Sequence, residues 1–181
     1  MAHDNKNLNT AAIDAAAFDA NFRKYETALF RYVCYLAGSD AEDIYQETWL
    51  RVARHLSRGK SVRNFKSFLF TTATNIFRDE LRKNKVRHFF LGPSLNDATS
   101  DESIRISPQA TPDHTGFDEA LRQSLETLTP KQRTMFCLCY IEGFKIREIS
   151  RIMQCAQGTV KATIFKAVRK IRRDLSEYKN E

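Results

Sequence analysis

Apolar residues recur every three or four positions along two stretches of this 181-residue chain, and between those stretches the recurrence stops. That spacing belongs to helices that bury one face, and its interruption marks a boundary. In the first stretch Phe18, Phe22, Tyr25, Leu29, Tyr32 and Leu36 share one helix face. Gly38-Ser39-Asp40 breaks the pattern, and Ser39 or Asp40 can cap the next helix, AEDIYQETWLRVARHL, whose stripe is Tyr45, Trp49, Val52 and Leu56. A polar basic loop, SRGKSVRN, leads to a third helix from about Phe65, with Phe65, Leu69, Ala73, Ile76 and Leu81 turned inward. Residues 91–117 then hold three of the four prolines among Ser, Thr and Asp and show no period. A long structureless loop inside one compact domain is uncommon, so this is read as a linker. The expected fold is all-α: a tail at 1–14, a small helical domain at 15–90, a flexible linker at 91–117 and a second small helical domain at 118–181.

The second block carries the sharper local signals. Thr129-Pro130-Lys131-Gln132 is a helix start with Thr at N-cap, Pro at N1 and Gln at N3, which completes a capping box. Gly143 ends that helix. Ile146, Ile149 and Ile152 drive a short helix, and Val160, Ile164, Ala167, Ile171 and Leu175 a long one whose other side is basic. A short helix, a tight break and a long basic helix form a helix-turn-helix whose second helix can enter a major groove.

Charge matters here because of where it lies. The chain has 29 Lys and Arg against 22 Asp and Glu. Residues 1–90 and 118–181 each carry a net +5, while 91–117 carries −3. A polyanion partner suits the two blocks and not the linker. The four cysteines, Cys34, Cys137, Cys139 and Cys155, form no CxxC pair, so reduced thiols are expected rather than a disulfide or metal site. The histidines are scattered, no Gly-rich phosphate loop occurs, and no cofactor is expected. No apolar run reaches the roughly 18 residues of a membrane span, and MAHDNKNLNTAAID has no signal core. A cytoplasmic chain with no membrane insertion is the expectation.

Three segments together resemble a family. DAEDIYQETWLRVARHL, FKSFLFTTATNIFRDELRK and LTPKQRTMFCLCYIEGFKIREIS…GTVKATIFKAVRKIRRDL, in this order, resemble the sigma-70-type bacterial transcription initiation factors. The layout of two helical domains and a linker resembles their extracytoplasmic-function group. The resemblance implies an RNA polymerase subunit that is not itself an enzyme. It would bind core polymerase and direct promoter-specific initiation from minus-35 and minus-10 elements. Asp43, Gln46 and Glu47 match the motif that docks on the clamp helices of the polymerase large subunit. An acidic, amide-bearing face suits a partner with Arg and Lys. The third helix and the loop before it would open the minus-10 element and hold its unpaired strand, which needs cations and an aromatic platform. Lys60, Arg63, Lys66, Phe70 and Asn75 fall there, with Arg78, Arg82 and Lys83 on duplex phosphates. Phe65 and Phe68 are expected to be largely core, which leaves Phe70 as the platform. Thr71, Thr72 and Thr74 depart from relatives, which often carry Arg or larger apolar residues. GTVK matches the start of the minus-35 reading helix. It makes Thr159 a phosphate contact, Lys161, Ala162, Thr163 and Lys166 base-edge contacts, and Arg169 part of the same face. Ala156 stands where relatives favour a Ser cap. The family commonly pairs with an anti-sigma protein, and the sequence leaves open whether this chain has one.

Two other readings stand beside this one. A stand-alone helix-turn-helix regulator would use the first block to sense a ligand or to dimerise, and would leave Asp43, Gln46 and Glu47 without a task. A nucleic-acid enzyme lacks support, because no acidic residues cluster into a catalytic constellation.

Overall fold

The computed structural model describes residues 5–91 and 116–178, with side chains over 16–87 and 120–176. Helix α1 spans Asn5–Ala37, α2 Ala41–Ser57 and α3 Phe65–Leu91. After the linker come α4 at Gly116–Glu126, α5 at Pro130–Phe136, α6 at Ile146–Met153 and α7 at Gln157–Tyr178. A 3₁₀ turn, Gly38–Asp40, joins α1 to α2, and a π turn, Cys137–Ile141, extends α5. The described residues are helical with no strand. The linker expected at 91–117 lies almost wholly outside them. The tail expected at 1–14 is helical from Asn5. Its TAAIDAAA run is rich in alanine, the strongest helix former, so the helix needs no apolar stripe there.

In the first domain, α1, α2 and α3 pack around Leu29, Val33, Leu36, Ile44, Val52, Leu69, Ala73, Ile76 and Phe77, all buried. Trp49 joins the three helices, with Phe22 at 4.7 Å, Phe18 at 5.8 Å, Tyr45 at 6.3 Å and Phe65 at 6.4 Å between ring centroids. The expected cap of α2 is not made by a side chain. Asp40 occupies the N-cap position without a capping bond, and the Ser39 hydroxyl reaches its carboxylate instead.

The three threonines of α3 turn inward on their own helix. Thr71, Thr72 and Thr74 donate to the carbonyls of Ser67, Phe68 and Phe70, four residues back, at 2.6, 2.9 and 2.6 Å. Thr74 also meets the Tyr32 phenol at 2.8 Å, which satisfies a fully buried hydroxyl. A larger apolar residue at 74 would strand that phenol.

In the second domain the capping box at Thr129 forms as expected. The Thr129 hydroxyl accepts from Gln132 N–H, and the Gln132 amide accepts from Thr129 N–H. Arg133, on α5, is fully buried. Its guanidinium donates to the carbonyls of Leu125, Glu126 and Leu128, tying off the end of α4. It also donates to the carbonyl of Leu36 at the end of α1, in the other domain. The two domains therefore pack on one another, and their buried residues form one continuous cluster.

Candidate nucleic-acid and partner interfaces

The helix-turn-helix is built from local chemistry. Glu148 accepts from Lys145 N–H at the start of α6. Gln154 ends α6 in the left-handed region, at φ 51°. The Ser150 hydroxyl donates to Cys155 O, and Cys155 N–H to Ser150 O, which pins the turn. Ala156 O accepts the first bond of α7, so Ala156 is the N-cap with no side chain to serve the free N–H groups. Val160, Ile164, Ala167 and Ile171 bury one face of α7. The opposite face is open: Thr159, Lys161, Ala162, Lys166 and Arg169 are exposed and Thr163 is half-buried. No acid pairs with Lys161, Lys166 or Arg169 among the described residues. Farther along, Lys170 donates to Thr127 O and Arg173 pairs with Asp174, so that end of the helix is committed to its own domain.

One residue of this face was missed in the sequence. Phe165 is 68% exposed between Ala162 and Arg169, the most exposed of the large apolar side chains among the described residues. Its position relative to Val160 and Ile164 was the available signal. A phenylalanine one step past the buried stripe faces outward when no other element packs on that flank.

On α2, Asp43 and Gln46 are exposed and Glu47 is half-exposed, one turn apart on a single face. Gln46 donates to Glu42 at 3.1 Å. Arg51 donates to Glu47 at 2.6 Å, and that bond holds the carboxyl below its ordinary range. Such exposed pairs stabilise little and exchange readily for other partners. Leu50, half exposed, continues the same face and was also missed. Asp43, Gln46 and Leu50 stand at i, i+3 and i+7, the spacing that stacks residues along one side.

The α3 set divides. Lys60 and Arg63 are exposed on the loop, Asn75 and Arg78 are half-buried, and Arg82 and Lys83 are exposed. Arg82 pairs with Asp79 at 3.2 Å and Lys83 with Glu80 at 2.6 Å, both through exposed side chains. Lys66 is half-buried and donates to the backbone carbonyl of Glu142 in the second domain. Phe70 departs most from expectation. It is fully buried, edge-on to Tyr32 at 5.1 Å and to Phe144 at 5.4 Å. Phe65 and Phe68, expected in the core, are only half-buried. The reason is tertiary. Phe70 sits one position past Leu69, and the second domain covers that flank of α3.

Burial also sets the state of the groups near this seam. Glu142 is 5% exposed, and its carboxyl is pushed above the ordinary range by lost solvation, partly countered by Lys66 and Arg31. The four cysteines are free thiols, Cys34 and Cys137 buried. Burial pushes the Cys34 thiol up to about 11 and Cys137 higher still, so neither is poised as a nucleophile. Among the described residues no three His, Cys, Asp or Glu side chains group to hold a metal, and no helix is long and apolar enough to cross a membrane.

Known proteins match these two domains. Residues 21–87 match the family described as Sigma-70 region 2, and residues 118–171 the family described as Sigma-70, region 4. The chain is 32% identical over 170 residues to the ECF RNA polymerase sigma factor SigL of Mycobacterium tuberculosis, covering 92% of this chain and 93% of SigL. It is 28% identical over 167 residues to the ECF RNA polymerase sigma factor BldN of Streptomyces coelicolor, covering 91% of this chain and 62% of BldN. Its fold is similar to that of the sigma factor RpoE in the co-crystal structure with the anti-sigma factor NepR from Bartonella quintana. There the TM-score is 0.69 at 22% identity, over 88% of this chain and 97% of that one.

Proposed function

This chain belongs to the sigma-70 family of RNA polymerase sigma factors, in the extracytoplasmic-function group, and on that premise we infer that it binds core polymerase in the cytoplasm and directs initiation at promoters with separate minus-35 and minus-10 elements. The reading helix is α7. Lys161, Thr163, Phe165 and Lys166 meet base edges, with Phe165 suited to a thymine methyl, and Thr159 and Arg169 meet phosphate. Lys and Phe lack the bidentate fork of Arg, so the preferred minus-35 sequence differs from that of Arg-bearing relatives. Lys60 and Arg63 approach the minus-10 strand, while Arg78, Arg82 and Lys83 track its phosphates. Asp43, Gln46 and Glu47 dock on the clamp helices of the large subunit, with Leu50 adding apolar contact. An anti-sigma protein is a further partner class of this reading.

The observation that supports it most is the division of exposed chemistry. Cations without acid partners line the outward face of α7, while the face of α2 is acidic and amide-bearing. One polyanion-binding module would not need the second surface. The test is charge reversal at Asp43 and Glu47 with helicity monitored. Affinity for core polymerase should fall by about 2–5 kcal/mol if these charges are desolvated in the complex. Unchanged affinity in a folded double variant counts against the assignment.

A further inference from the structure

Two large apolar side chains of the first domain stand open among the described residues, Leu50 at 50% exposure on α2 and Val86 at 55% on α3. Either alone is ordinary on a protein surface. Their placement carries the information. Ring pairs fix the helix directions. Phe22 meets Trp49 and Phe30 meets Tyr45, so α2 runs back along α1. Tyr25 meets Phe65 and Tyr32 meets Phe70, so α3 runs with α1. Helix α3 therefore returns antiparallel to α2, toward its acidic start. It has 27 residues against 17, and its last turns run past that start. Register sets the bearing of those turns. Phe68 lies 4.6 Å from His55 and Phe65 6.4 Å from Trp49 between ring centroids, so this flank of α3 faces α2. Eighteen residues make about five whole turns, so Lys83 repeats the bearing of Phe65, and Val86 that of Phe68. The Glu47 carboxyl agrees. Held down chiefly by its bond to Arg51, it also feels the charges of Arg54 and Lys83.

We propose that the polymerase-docking face of α2 continues onto the end of α3, where Glu80 and Val86 join Asp43, Gln46, Glu47 and Leu50, and that it takes a helical pair of the large subunit carrying Arg or Lys between two apolar residues. This rests on the sigma-factor reading, which places core polymerase on α2. Continuity with that face and charge select the occupant. Asp43, Glu47 and Glu80 form the middle of the surface, and Leu50 and Val86 stand at its two ends. Leu50 lies about 14 Å along α2 from its start, whereas Val86 overhangs the start. DNA fits poorly, because its phosphates would meet carboxylates. Apolar anchors beside charged pairs exclude water from them, which strengthens each pair. The Glu80–Lys83 pair is exposed and exchanges readily, so a Lys83 that turns to phosphate leaves Glu80 to a cation of the partner.

The test measures the affinity of the full-length chain for core polymerase by fluorescence anisotropy, with Val86→Asp, Val86→Ala and Leu50→Asp. Both sites are exposed, so the helicity and thermal unfolding of each variant should match the wild type. Val86→Asp should bind at least about ten-fold more weakly, Leu50→Asp to a similar degree, and Val86→Ala about three-fold more weakly. A photo-crosslinking side chain in place of Val86 should label the large subunit. Wild-type affinity in a folded Val86→Asp variant, beside a weakened Leu50→Asp, overturns the proposal alone and ends the face on α2. Labelling of promoter DNA in place of the large subunit overturns it as well. No measurable affinity of the wild-type chain for core polymerase overturns the sigma-factor reading and the proposal with it.

Discussion

Phe165 and Phe70 are both phenylalanines on basic helices, and the fold treats them oppositely. Phe165 stands 68% exposed beside Lys161, Lys166 and Arg169 on α7. Phe70 is fully buried beside Lys66 on α3, closed over by Phe144. The same pair of residue types thus makes an open surface in one domain and a covered one in the other. The difference lies in what packs on each helix from outside its own domain. Among the described residues nothing covers the outward face of α7, whereas α6 and the loop before it pack on α3.

The contrast predicts its largest effect on stability. Phe70→Ala removes a ring touching Tyr32 and Phe144 and should cost about 3–5 kcal/mol. Phe165→Ala should lie within about 0.5 kcal/mol of wild type. Chemical denaturation of both variants checks this, and equal losses would erase the distinction between the two faces. Arg133→Met comes next. It removes the side-chain donor from the carbonyls of Leu125, Glu126, Leu128 and Leu36, and should cost on the order of 3 kcal/mol in the same measurement.

Smaller effects separate base contacts from phosphate contacts. Lys161→Ala should weaken duplex binding by roughly 1–3 kcal/mol at one or two minus-35 positions and leave other positions unaffected. Arg82→Ala should weaken binding on every sequence and lower the salt slope by about one counterion. Anisotropy titrations on a set of single-base promoter variants at two salt concentrations distinguish them. A uniform loss for Lys161→Ala would move that residue to the phosphate backbone.

The smallest effect is a pH dependence of the seam. Glu142 faces Arg31 and Tyr32 from α1 and Lys66 from α3, with Cys137 on its own turn. Burial pushes Tyr32 and Cys137 up, so both stay neutral. The Glu142 carboxyl is raised by burial where the two domains pack, so that packing favours its protonated state. That contribution is complete below the ordinary carboxylate value and is lost as pH rises through the raised one. Scattering at pH 5 should therefore give a smaller radius than at pH 8. A larger radius at pH 5 would mean that Arg31 and Lys66 outweigh desolvation.

Much of this was legible in the sequence. The spacing of Leu29, Tyr32 and Leu36, the Thr129–Gln132 box and the Val160–Ile171 stripe each reflect local physics, and each forms as read. The outward set on α7 follows from that stripe by subtraction. The fate of Phe70 was not legible, because Phe144 lies 74 positions away and an amphipathic period reports only that a face is covered, never by what. The same holds for Lys66, whose partner is a backbone carbonyl and leaves no trace in side-chain pattern. Helix α1 starts earlier than its apolar stripe because alanine supports a helix without packing.

Where transcription begins tests the promoter-directing role of this chain most directly. Core polymerase reconstituted with this chain should be given genomic DNA of the source organism, and the transcript 5′ ends mapped. The expected result is a discrete set of starts sharing two upstream sequence elements, lost when Asp43 and Glu47 are reversed in charge. Identical starts and yields with and without the chain would contradict it.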